Sequence, residues 1–132
     1  MKKLLILLAL IVVSLGVNAQ DFSGRIGTAD KVFANALADT LNITISKARS
    51  AITFHNQVTK NSGTVAGTIV IQAKLTSLSG EVWHTLDSHT ITDATQEDWV
   101  TFTNNQALYY RVIRTTTGTQ NSTLNSFLLY RQ

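Results

Sequence analysis

The chain has 132 residues, with 11 Lys and Arg against 8 Asp and Glu, a formal net charge of +3, and neither cysteine nor proline. Without cysteine, disulfide staples, thiol catalysis and cysteine-ligated zinc are excluded. Lys2 and Lys3 lie ahead of every acidic residue, so the chain beyond them is close to neutral and a nucleic-acid partner is not expected.

After those two lysines comes an apolar run from Leu4 to Val17, shorter than the roughly 20 residues a helix needs to cross a bilayer. Val17-Asn18-Ala19 then supplies small residues. A basic start, an apolar centre and a small-residue end predict a signal peptide over residues 1–19, cleaved after Ala19. Export to the periplasm, the cell surface or the medium would follow, with membrane contact confined to this leader. The alternative is a hydrophobic arm retained in an assembly, which would place the protein in a virion.

Residues 20–39 are expected to form an N-terminal arm or a short irregular segment. Within them Val32, Phe33, Ala36 and Leu37 fit either a small helical stripe or an extended stretch. From residue 40 to residue 132 the pattern is that of strands. Threonine is abundant, and its branched side chain suits a half-buried pleated surface.

Leu41, Ile43 and Ile45 alternate with Asn42, Thr44 and Ser46, which gives one apolar and one polar face. Ala51–Thr59 is a second strand with Ile52 and Phe54 inward, ended by a turn at Lys60-Asn61-Ser62-Gly63. Val65–Leu75 is the longest candidate, with Val65, Ile69, Ile71 and Ala73 on one face. A turn at Thr76–Gly80 leads to a short strand, Glu81–Leu86, containing Trp83. A further turn at Asp87 separates it from a strand at Ser88–Thr92. Alternation resumes in Trp99–Thr103, and Ala107–Thr115 places Tyr110 and Val112 opposite Tyr109, Arg111 and Ile113, as in a strand flanked on both sides. The last strand is Thr123–Arg131. About seven or eight strands at this spacing predict an all-β, antiparallel sandwich of immunoglobulin-like or jelly-roll-like type. Arg111, Arg114 and Arg131 are expected to keep its open edges soluble.

Candidate chemistry is sparse. His84, Asp87, His89 and Asp93 gather more titratable groups than any other stretch. On a regular strand, however, His84 and His89 would point to opposite faces. No metal site and no cofactor are therefore expected. No Gly-x-Ser-x-Gly sequence and no phosphate-cradling loop occur, and no catalytic residue is assigned. Binding is the better-supported chemistry. Trp83, His84, Trp99 and Tyr109 offer flat faces that can stack on sugar rings, with Thr, Asn and Gln side chains to bond the hydroxyls. Against this, Trp83 and Tyr110 are also the right size to fill the core.

The runs Asp39-Thr40-Leu41, Ser62 to Gln72, Trp83 to Leu86, Ala107 to Val112 and Thr117 to Leu124 resemble, in their order, small accessory β-sandwich proteins of tailed bacteriophages. The resemblance spans residues 39–131. It implies a structural or decoration component of a particle, with other protein subunits as partners, a homo-oligomer among them. The expected function is thus that of a non-enzymatic sandwich, either a virion accessory protein or a secreted module that binds carbohydrate or another cell-surface ligand.

Overall fold

The structure is a computed structural model that describes residues 22–131, so the expected leader lies outside the described residues. Eight strands follow in order: β1 (Phe22–Ala34), β2 (Ala38–Thr44), β3 (Ala51–Gly63), β4 (Ala66–Lys74), β5 (His84–Ile91), β6 (Gln96–Thr103), β7 (Tyr109–Thr117) and β8 (Gln120–Arg131). They form two antiparallel four-stranded sheets, β1-β8-β3-β6 and β2-β7-β4-β5. Every connection except the β4–β5 hairpin crosses from one sheet to the other. This order is that of a jelly roll, and it corrects the immunoglobulin-like alternative, in which consecutive strands pair within a sheet.

Strand alternation puts one row of side chains between the sheets. Ile52, Phe54 and Val58 of β3 face Ile69 and Ile71 of β4 and Tyr110 and Val112 of β7, all essentially dry. Phe54 joins the two sheets, with its ring centroid 5.8 Å from that of Tyr110 and 6.1 Å from that of Phe102. Tyr110 is therefore core, and its hydroxyl donates to the Ala107 carbonyl at 3.0 Å. β4 runs flush against β7 because position 67 is glycine. A Cβ there would lie 2.1 Å from the Thr115 carbonyl oxygen.

Four expectations change in the folded chain. Residues 22–34 are a sheet member rather than an irregular segment, since β1 pairs with β8 along most of its length. The expected turn at Lys60–Gly63 is the end of β3, where Asn61 is an extra residue in the pairing with β8. Its side-chain amide donates to Asn121 at 3.1 Å and to Thr123 at 3.0 Å, which holds the bulge in place. The short strand containing Trp83 starts only at His84, after the tryptophan. The turn expected at Asp87 is likewise a bulge: Ile71 pairs with Asp87 and Gln72 with Thr85, so Leu86 is the inserted residue. One added residue reverses the parity of the strand. His84 and His89 consequently pair opposite the inward residues Ala73 and Ile69 and share a face.

Arg114 guards no edge. It sits in β7, between β2 and β4, and is 1% exposed. Its guanidinium pairs with Asp39 on β2 and donates to the Leu124 carbonyl of the opposite sheet at 3.1 Å. Beside it the Thr116 hydroxyl donates to Asn35 and the Gln120 side chain bonds both the amide and the carbonyl of Ala66. This end of the sandwich is closed by polar contacts that bridge the sheets, in the way a buried charge demands.

Two outcomes follow. Ile71→Ala should cost about 2–5 kcal/mol in urea unfolding, because β4 is central and its neighbours cannot close the gap. Burial pushes the Tyr110 hydroxyl up to about 12. The group is neutral in the fold and ionises more easily when unfolded, so its contribution is complete below pH 10 and is lost as pH rises toward 12. Stability should fall by up to about 2 kcal/mol over that range, and Tyr110→Phe should flatten the fall.

Candidate functional site

The outer face of the β1-β8-β3-β6 sheet carries a row of rings. His55 on β3 stands directly opposite Trp99 on β6 and Phe127 on β8. Side chains directly opposite on one face of paired strands lie close enough to touch, and here they stack. The His55 and Trp99 rings are 3.8 Å apart with 13° between their planes, and His55 and Phe127 are 5.5 Å apart at 23°. Trp99 remains 63% exposed. It is a large apolar surface that the fold leaves in water, yet holds flat.

Polar groups rim this row. Glu97, on the same strand as Trp99, accepts from the Gln57 amide at 3.0 Å and lies 3.4 Å from His55 Nε2, an ion pair when the imidazole is protonated. Thr53 and Thr101 share a hydrogen bond at 2.8 Å. They border a shallow depression of about 170 Å³ completed by Ala51, Leu129, Tyr130 and Arg131. The arrangement offers one flat aromatic surface, two hydroxyls, an amide, a carboxylate and, in the depression, a guanidinium. That set suits hydrogen bonding and stacking, and it contains no nucleophile activated by a base.

The four residues singled out from the sequence do not converge. Trp99 belongs to the row just described. Trp83 and Tyr109 are on the outer face of the other sheet, where both rings approach Lys74 Nζ, at 5.0 Å and 5.8 Å. Trp83 is half-buried and is not among the core residues. His84 is exposed at the end of the sandwich, in a depression of about 190 Å³ with Leu75, Glu81 and Leu86. The other histidine of the same stretch, His89, turns to β6, where Nδ1 is 3.7 Å from Asp98 Oδ1 and Nε2 is 3.3 Å from the Gln96 amide. Among the described residues no three His, Asp or Glu side chains converge as a metal site.

Sequence reading missed His55 and Phe127. His55 lies on the polar face of its strand with no neighbour along the chain to mark it. Only the cross-strand register brings Trp99 and Phe127 to it, and that register is not written in any one strand.

No known protein family matches the chain, and no curated protein matches it. Solved structures share its fold. One is a chain of infectious bursal disease virus, Gx strain, at 9% identity and a TM-score of 0.59, covering 86% of this chain and 32% of that one. Another is the enzymatically active domain of tailspike protein 4 of bacteriophage CBA120, at 9% identity and a TM-score of 0.53, covering 83% and 17%. A third is a family 16 carbohydrate binding module, at 10% identity and a TM-score of 0.50, covering 74% and 73%. This chain thus spans about a third of the virus chains and a smaller part of the tailspike. At these identities the likeness is one of fold.

Exposure separates the two tryptophans. Acrylamide should quench the Trp99 emission efficiently, and Trp99→Phe should leave only a less accessible component from Trp83. Equal quenching of the wild type and the variant would contradict the exposed position of Trp99.

Proposed function

We propose that the protein is a non-enzymatic carbohydrate-binding sandwich whose binding surface is the Trp99–His55–Phe127 row. The observation that carries this reading is the exposed indole stacked on a partner ring. A free indole on a surface would lose rotamer freedom when a ligand arrives, whereas one already stacked has lost it in folding. Sugar rings present one apolar face of C–H groups and an edge of hydroxyls. The first fits Trp99, and the second fits Glu97, Gln57, Thr53 and Thr101. The Glu97 carboxylate accepts hydrogen bonds from hydroxyls and, with Arg131 at the border of the depression, leaves the surface without a charge of one sign, so the fitting ligand is a neutral polysaccharide.

A chain of infectious bursal disease virus and a bacteriophage tailspike domain share this fold, and a second reading keeps the protein as a structural subunit of a particle. Leu75, Leu78 and Val82, all exposed at the end of the sandwich that holds the β4–β5 connection, favour it as a contact between subunits. The readings separate in solution. A subunit sediments as an assembly and ignores glycans, while a binding module does not sediment as an assembly and is retarded in gels containing polysaccharide.

Trp99→Ala should weaken binding to a neutral polysaccharide by about tenfold or more, with a change in unfolding stability within about 1 kcal/mol because the residue is exposed. Retained affinity in a folded Trp99→Ala variant would remove the aromatic row from the binding surface.

A further inference from the structure

The outer face of the β2-β7-β4-β5 sheet has a different chemistry from the aromatic row, and nothing so far accounts for it. Two cations share one indole there. Lys74 Nζ is 5.0 Å from the centre of the Trp83 ring, and the Arg111 guanidinium carbon is 4.5 Å from it. Two like charges gathered on one ring repel each other, and the ring's attraction offsets only part of that. Ordinarily a carboxylate would stand between them. Among the described residues, the ion pairs are made by His55, Lys60, His89 and Arg114, and none joins Lys74 or Arg111.

The surrounding rows are free of acid. Thr44, Tyr109 and Lys74 form one row across the sheet, Asn42, Arg111, Gln72 and Thr85 the next, and Thr40, Ile113, Val70 and Ser88 the third. Glu81, in the β4–β5 connection, is near enough for its charge to attract Lys74, but it makes no ion pair with it and its carboxylate is engaged elsewhere: it accepts from the Leu75 and Thr76 amides, each at 2.7 Å, and from the Thr76 hydroxyl at 2.5 Å. Arg111 is held in position. Its Nε donates to Gln72 Oε1 at 2.7 Å, and the Gln72 amide donates in turn to Thr85 at 3.0 Å. This pins the guanidinium by one edge and leaves its remaining N–H groups for an oxyanion, two of whose oxygens the guanidinium binds in a forked pair.

We propose that this face is a second glycan site, selective for sugars that bear an anionic group, either a carboxylate or a sulfate. Arg111 and Lys74, gathered over the Trp83 ring, take the anion, and the Tyr109 ring beside Lys74 supplies surface for the sugar. Two cations are too few for a nucleic-acid backbone, which engages about six to ten basic contacts in typical complexes. The combination of a fixed fork, a point charge and a flanking ring instead matches a single charged sugar unit. This site stands apart from the aromatic row, on the opposite side of the sandwich, and does not depend on it.

The test uses affinity electrophoresis of the full chain in gels containing polygalacturonate, dextran sulfate, neutral dextran or polyglutamate, at about 50 mM and about 200 mM salt. Retardation is expected with one or both anionic polysaccharides, and which one identifies the anion. Lys74→Gln/Arg111→Gln should weaken it by about tenfold or more, while Arg111→Lys should restore only part of the loss, since it keeps the charge without the fork. The neutral-polysaccharide binding measured through Trp99 is the separate readout: it should survive Lys74→Gln/Arg111→Gln. If the double variant does not fold, Lys74→Gln alone carries the test. Equal retardation by polyglutamate would overturn the proposal, as would no retardation by either anionic polysaccharide. Loss of anionic binding in Trp99→Ala with no loss in the double variant would also overturn it, and would move the activity to the other sheet.

Discussion

The space between two facing sheets has to be dry, and every strand in this chain is written around that requirement. Each strand gives one row of side chains to it and therefore has one row left over. Phe54, packed against Phe102 on its own sheet and Tyr110 on the other, shows how closely the inner rows interlock. With no cysteine in the chain, no cross-link shares this work. Where the interior does contain charge, as at Arg114, the charge is spent on holding the sheets together through Asp39 and the Leu124 carbonyl.

Because the inner rows carry the fold, the outer rows are free to differ, and they do. One sheet presents stacked rings beside a carboxylate, with Trp99 projecting. The other presents Lys74 and Arg111 gathered on Trp83 and no acidic residue in the same rows. The faces are back to back across a core about 10 Å thick, so ligands on the two sides cannot touch each other. If both faces bind as proposed, the molecule holds two glycans of different charge at once without any moving part.

Much of the fold was readable from alternation alone. Ile52 and Phe54, Ile69 and Ile71, and Tyr110 and Val112 all face inward as their spacing requires, because period two follows directly from the pleat. The bulges at Asn61 and Leu86 were not readable, since an inserted residue leaves the composition of a strand unchanged and is visible only in its pairing. The bulge at Leu86 hid the shared face of His84 and His89 and suggested a turn that does not exist. Arg114 was misplaced for a related reason: an arginine in a Thr-rich strand reads as surface until its partner Asp39, far away in sequence, is found across the sheet. Trp99 was readable as a candidate because its side chain alone offers a flat face that can stack on a sugar ring. The ring that steadies it, His55, was not, because register between distant strands is set by the whole sandwich.

The central proposal is that the aromatic row binds the ligand. The most direct measurement is a two-dimensional amide and indole NMR titration of the protein with a neutral oligosaccharide that saturates it. Shift changes should centre on the Trp99 indole and on the amides of Thr53, His55, Glu97, Thr101 and Phe127, with the outer face of the opposite sheet unmoved. Changes confined to the loops or to the opposite sheet, with the Trp99 indole unshifted, would contradict it.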